Sequence, residues 1–108
     1  MQTSGKVEPL RSCFAGDADM VELVQEFVQE LPGRAQTLAQ LMQAAQLDDL
    51  RRAAHQLKGA AGGYGFPTIS ESAGTLEKML HGRTQNQASE LQARVNELVA
   101  LCNRAVAA

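Results

Sequence analysis

The sequence predicts an all-α domain, a bundle of amphipathic helices. Apolar residues recur at three- and four-residue spacing along most of its 108 residues, and no stretch alternates in the manner of a strand. Aromatic residues make up only 4% of the chain and tryptophan is absent, so aliphatic residues must build the core, which suits helix packing. The predicted helices have short connections, which favour antiparallel neighbours.

The composition limits the classes of function. Shares of 44% hydrophobic and 20% charged residues are ordinary for one globular domain, and a formal net charge of −2 offers no basic surface for nucleic acid or anionic membrane. No apolar run approaches the ~18 residues of a membrane span, and the N-terminus lacks a signal-peptide core. Cys13 and Cys102 stand far apart, which predicts free thiols. We expect a cytoplasmic domain, and an irregular lead that begins at Met1 favours a free-standing protein.

Residues 1–16 are predicted to form an irregular lead with at most one helical turn, and residues 17–108 to form the bundle. Asp17 is a candidate N-cap for the first helix, whose predicted buried stripe is Met20, Leu23, Val24, Phe27, Val28 and Leu31. Pro32 and Gly33 predict a kink or a break, because proline removes a backbone donor. The helical pattern then resumes with the stripe Ala35, Leu38, Leu41, Met42 and Ala45.

Three further helices follow. The first is predicted to start within residues 47–50, with Asp48 as its cap, and to end at Gly62 or Gly63. Pro67 opens the next helix, where Thr68 and Glu71 match a capping box. Its predicted stripe is Ile69, Ala73, Leu76 and Leu80, and the residues 81–86, "HGRTQN", end it. The last helix has the stripe Leu91, Val95, Leu98, Cys102 and Ala105.

His55 is predicted to point into solvent. On a helical wheel Leu57 lies about 160° and Leu50 about 140° from His55, and both leucines need the core. Within about 60° of the histidine lie its neighbours one or two turns away, which are Arg51, Arg52, Lys58, Gly59 and Gly62. The glycines therefore remove side chains from the turns beside the imidazole, and Lys58 places a cation near it.

This pattern suits phosphoryl chemistry. A neutral imidazole nitrogen is a competent nucleophile near physiological pH. Lys58 can stabilise the charge of a phosphoryl group, with Arg51 and Arg52 as auxiliary cations. The alternative interpretation is that His55 is an ordinary surface histidine and that the glycines only end the helix. The spacing alone leaves both interpretations open.

At these residues the sequence resembles the histidine-containing phosphotransfer (HPt) domain of phosphorelays. The stretch 55–65, "HQLKGAAGGYG", fits the family signature of a histidine followed by x-x-Lys-Gly and small residues. The preceding "DDLRRAA" and the downstream "SESAGTLEKML" are also similar. The resemblance covers residues 17–105 and implies a four-helix bundle that exposes the histidine midway along one helix.

The resemblance also implies roles for single residues. His55 is then the phosphoacceptor, Lys58 neutralises the phosphoryl group, Gly59 and either Gly62 or Gly63 give a partner access, and Gln56 has a weaker, auxiliary role. Such domains bind no ATP and need no cofactor or metal of their own. Mg²⁺ belongs to the partner, which is the receiver domain of a response regulator or of a hybrid sensor histidine kinase. We further expect a monomer.

Three alternatives remain. A phosphoacceptor segment of a sensor kinase would carry an acidic residue directly after the histidine, where this chain has Gln56, although the related phosphotransfer domain of chemotaxis kinases is a closer variant. A bundle that binds metal would use Cys13, His55, His81 and Cys102, but no two of them have helical ligand spacing. A non-catalytic helical interaction domain would need no glycines that remove side chains from the turns beside His55.

Overall fold

The computed structural model describes residues 8–82 and 88–107, and within them the all-α prediction is confirmed. The elements in chain order are strand β1 (Leu10–Arg11), helices α1 (Val21–Gln43), α2 (Leu47–Gly63), α3 (Pro67–Gly82) and α4 (Ala88–Arg104), and strand β2 (Ala105–Val106). Residues 83–86 of the predicted "HGRTQN" ending lie outside the described residues.

The four helices form a bundle in which each packs against its two neighbours in the ring α1–α2–α3–α4. One core runs through all of them, and its largest fully buried side chains are Val24, Leu31, Leu38, Leu50, Leu57, Phe66, Ile69, Leu76, Val95 and Leu98. The Phe27 ring stacks on Tyr64 with their centroids 4.9 Å apart. The prediction of Leu23 as buried is wrong, because α1 turns this side chain outward and leaves it 44% exposed.

Of the predicted kink or break at Pro32, the break is wrong, because helix α1 continues through this residue. Proline inside a helix costs about 3 kcal/mol. Leu31 and Leu38 are fully buried on either side, and each contributes about 1.5–3 kcal/mol by burial, which offsets that cost. Pro32 itself lies on the exposed side. The prediction of Ala45 as a buried helical residue is also wrong, since it follows the helix end with φ +57° and is exposed.

The predicted N-caps are wrong, although the helices that they were predicted to cap are present. Asp17 lies before α1, in a turn where its Oδ1 accepts a hydrogen bond from the Asp19 N–H. Asp48 is inside the first turn of α2, after the N-cap Gln46. Thr68 is the second residue of α3 and cannot cap a helix that begins at Pro67. In each case the chain becomes helical a few residues away from the side chain that favours a start.

The segment before α1 is partly extended. Leu10 and Arg11 pair in parallel with Ala105 and Val106, so Ala105 belongs to a strand and not to the last helix as predicted. The Arg104 guanidinium also donates to the Glu8 carbonyl at 2.8 Å. A strand of two residues is too short to show alternation in the sequence. Its formation also depends on a partner about 95 positions away.

The segment then lies over the corner between α2 and α3. The Ser12 hydroxyl donates to the Tyr64 carbonyl at 2.6 Å, and the Cys13 N–H donates to the Gly65 carbonyl at 2.8 Å. Gly65 has φ +86°, the left-handed conformation expected of glycine after a helix. The predicted end of α2 at Gly62 or Gly63 is confirmed, since the helix ends at Gly63. Among the described helices, none combines the length and the hydropathy that a membrane crossing requires.

Candidate functional site

Helix α2 presents His55 to solvent, as predicted. The His55 side chain is 63% exposed, whereas Leu50 and Leu57 on the opposite side of the helix are fully buried. Burial of the leucines fixes the rotation of α2 about its axis. The histidine therefore points away from the core for the reason that the wheel gave.

A carboxylate from the neighbouring helix holds one nitrogen of this ring. Glu77 of α3 places Oε2 at 2.9 Å from His55 Nδ1, and the Glu77 side chain is only 12% exposed. An ionised carboxylate can only accept hydrogen bonds, so Nδ1 must be the donor. In the neutral ring the lone pair is then on Nε2, for which the described residues supply no hydrogen-bond partner.

The same carboxylate binds Lys58. Its Oε1 lies 3.1 Å from the Lys58 Nζ, so Glu77 bridges the histidine and the lysine. The pKa of Glu77 is lowered from its ordinary value, chiefly by the hydrogen bond from Lys58 and further by that from His55, while partial burial opposes the shift. Glu77 therefore remains ionised at neutral pH.

Close packing of α2 on α3 makes this bridge feasible. A Cβ added at Gly62 of α2 would lie 3.4 Å from Ser70 Oγ, and one added at Gly74 of α3 would lie 3.1 Å from Lys58 Cδ, so residues without side chains let the two helices approach. His55 and Lys58 are three positions apart and therefore share one face of α2. The bridge joins that face to the edge of α3.

The glycines leave bare backbone on the same face of α2. A Cβ added at Gly59 or at Gly63 would meet no atom within 4 Å, so both positions are open. A Cβ at Gly62 would come to 3.4 Å from Ser70 Oγ, which places Gly62 at the border with α3. A partner approaching His55 therefore meets backbone and not side chains at Gly59 and Gly63.

The other predicted site residues lie further from the bridge. Arg52 pairs with Asp49 at 3.3 Å, and no hydrogen bond or ion pair within the described part of the chain connects Arg51, Arg52 or Gln56 to His55. Gln56 lines a groove of about 460 Å³ between α1 and α2. The structure thus brings together His55, Lys58 and Glu77, with the arginines one turn away.

Sequence reasoning left the position of Glu77 open. On the wheel of α3, Glu77 lies about 70° from the centre of the buried stripe, nearer than any other charged residue of that helix. A carboxylate so close to the core needs a partner. The position of Glu77 near the buried stripe of α3 therefore indicates that it has a partner. It does not identify that partner, because the pairing depends on how α3 lies along α2.

The residues of the metal-binding alternative are not gathered in one place. Across residues 8–82 and 88–107, no group of three or more His, Cys, Asp or Glu side chains could hold a metal ion. Cys13 is exposed and Cys102 is buried, and both are free thiols. Burial raises the pKa of Cys102 to about 11.

Comparison with known proteins gives a family match. A family model described as Hpt domain matches residues 22–108, which include α1 from its second residue, the three other helices, and the bridge from Glu77 to His55 and Lys58. No curated protein and no solved structure matches the chain.

Proposed function

The chain belongs to the Hpt domain family and takes part in His–Asp phosphorelay, and from that premise we propose that it carries a phosphoryl group between the aspartates of two receiver domains as a phosphohistidine on His55. Hpt domains generally interact with response regulators and kinases. The partners proposed for this chain are accordingly a hybrid sensor histidine kinase and a response regulator. The chain is proposed to bind them as a monomer in the cytoplasm.

One observation supports this role above the others. His55 is largely exposed, yet its Nδ1 is held by Glu77 at 2.9 Å. A nucleophile for phosphoryl transfer needs access for its partner and a fixed orientation. The hydrogen bond directs the lone pair to Nε2, the nitrogen that we propose as the phosphorylated atom.

The proposed step conserves every atom and charge. The Nε2 lone pair attacks the phosphorus of an aspartyl phosphate, a P–N bond forms, the P–O bond breaks, and the aspartate leaves with its electron pair. Nδ1 keeps its proton, so the phosphorylated ring is cationic, and the Glu77 carboxylate at 2.9 Å stabilises that charge. Attack by the aspartate of the second receiver breaks the P–N bond and returns the electron pair to Nε2.

Lys58 and the glycines have supporting roles in this proposal. The Lys58 ammonium is 3.1 Å from the carboxylate that holds His55, and its side chain is 43% exposed, so it can exchange a contact with Glu77 for one with the phosphoryl oxygens. Gly59 and Gly63 let the active site of a receiver approach the ring. Mg²⁺ and its ligands are assigned to the receiver, since this chain acts through its nucleophile and cation.

The test is transfer from a radiolabelled phospho-receiver to the wild type, His55→Gln and His81→Gln. His81 is the second histidine and is also exposed, which makes it the matched control. We expect label on the wild type and on His81→Gln and none on His55→Gln. Label that persists on His55→Gln would assign the chemistry to another residue.

Two further reactions separate the alternatives. Label from ATP alone would indicate a kinase phosphoacceptor segment with activity of its own, and label that requires an added kinase domain would indicate the chemotaxis type. A wild type that accepts no label from receivers or from phosphoramidate, a small P–N phosphoryl donor, would be a non-catalytic interaction domain. Each result would overturn the proposed relay.

A further inference from the structure

Three residues of α3 follow the course of the Lys58 side chain. Ser70, Gly74 and Glu77 are spaced by four and three positions and therefore lie along one strip of the helix. The Ser70 hydroxyl donates to the Lys58 carbonyl at 2.9 Å, and Glu77 Oε1 receives the Lys58 ammonium at 3.1 Å. Gly74 lies between these two contacts, beneath the aliphatic part of the lysine.

The path of the lysine depends on the missing side chain at Gly74. A Cβ added there would lie 3.1 Å from Lys58 Cδ and 3.9 Å from Cγ. Carbon atoms in favourable contact are about 3.5–4.0 Å apart, so the lysine would have to move by a few tenths of an ångström. The Ser70 hydrogen bond fixes the backbone from which the lysine starts, so the displacement would fall on the ammonium end.

We propose that Gly74 is a positioning residue of the phosphotransfer site, because the space above its backbone directs the Lys58 ammonium onto Glu77 and beside His55. The effect on transfer rests on the proposed function, whereas the effect on the lysine does not. Among the described residues, and apart from its chain neighbours and the backbone of its own helix, only Lys58 would lie within 4 Å of a Cβ added at Gly74. Its role is therefore exerted through the lysine.

The test compares Gly74→Ala with Gly33→Ala. Gly33 is also inside a helix, and a Cβ added there would meet no atom within 4 Å, so the control makes the same chemical change without touching a neighbour. Two quantities are measured, the pKa of Glu77 by NMR titration of its carboxyl carbon and the rate of His55 phosphorylation by phosphoramidate.

We expect Gly74→Ala to raise the Glu77 pKa toward its ordinary value, because the hydrogen bond from Lys58 is the largest cause of its lowering. We also expect phosphorylation to slow by about 3- to 10-fold, since a full ångström of misplacement can cost about 100-fold. Gly33→Ala should change neither quantity. In a Lys58→Ala background, adding Gly74→Ala should have no further effect on either.

Different results would contradict different parts of the proposal. A Glu77 pKa that Gly74→Ala leaves unchanged, or an equal effect of Gly74→Ala without Lys58, would overturn the positioning role. A shifted pKa with an unchanged phosphorylation rate would overturn its relevance to transfer. If the wild type is not phosphorylated on His55, the proposed function fails, and the Glu77 pKa in the two glycine variants still decides whether Gly74 places the lysine.

Discussion

Two regions of the molecule are held together by different kinds of contact. Where α2 meets α3 at His55, charged side chains join the helices, and the reactive ring remains exposed. At the corner after α2, the Ser12 hydroxyl donates to the Tyr64 carbonyl and the Cys13 N–H donates to the carbonyl of Gly65, which has φ +86°, so the segment before α1 is bound to backbone groups. Side-chain contacts can change during a reaction while the backbone stays in place, so we expect chemistry to depend on the first region and stability on the second.

The largest expected effect is on stability, from Gly65→Ala. Alanine is strained at φ +86°, and its Cβ would lie 2.9 Å from the backbone nitrogen of Cys13. Left-handed strain of about 1–2 kcal/mol and a clash of about 1–3 kcal/mol predict a loss of about 2–5 kcal/mol in the free energy of unfolding. Urea denaturation measures it, with Gly63→Ala as the control. A loss in the free energy of unfolding no larger than that of Gly63→Ala would contradict the expectation that stability depends on this corner.

After the loss of His55 itself, the largest expected effect on chemistry is that of Lys58→Ala. A hydrogen bond to a charged group contributes about 1.5–3 kcal/mol, which corresponds to transfer slowed by about 10- to 150-fold or to a shorter-lived phosphohistidine. Unfolding should change little, because the ion pair is partly exposed. The decay of phosphohistidine and the urea midpoint test both parts. Transfer and lifetime equal to those of the wild type would remove Lys58 from the mechanism.

Ser12→Ala should have a smaller effect on stability and none on chemistry. The hydroxyl donates to the Tyr64 carbonyl and accepts from the Phe14 N–H, so its removal leaves both backbone groups without that partner. We expect a loss of about 1–2 kcal/mol, measured by urea denaturation. Phosphorylation of His55 by phosphoramidate should be unchanged, and a slower rate would mean that the corner influences the site.

The smallest expected effect is a pH-dependent one from Glu77→Gln. The native pKa of Glu77 lies below its ordinary value of 4.5, so the ionised carboxylate stabilises the folded state above pH 4.5. That contribution is lost as the pH falls through the lowered native pKa. The urea midpoints of the wild type and Glu77→Gln should therefore differ at neutral pH and converge in acid. A constant difference would exclude ionisation of Glu77 as the cause.

The sequence predicted the parts of this structure that depend on local order. The outward direction of His55 followed from Leu50 and Leu57, because helical periodicity relates residues a few positions apart. The break predicted at Pro32 is wrong because it relied on local preference alone. The burial of Leu31 and Leu38 in the core outweighs the preference of proline against helix. Glu77 was not assigned to His55, because the position of α3 along α2 is set by packing across the bundle.

The two cysteines differ in their access to solvent. Cys102 belongs to the predicted buried stripe of the last helix, whereas Cys13 belongs to the predicted irregular lead. In the structure Cys13 is exposed, and Cys102 is 2% exposed within α4, with a pKa raised to about 11. Thiolate is the form that alkylating reagents attack. Cys13 is therefore open to modification in the native protein, whereas Cys102 reacts only when the bundle opens, which makes it an internal reporter of unfolding.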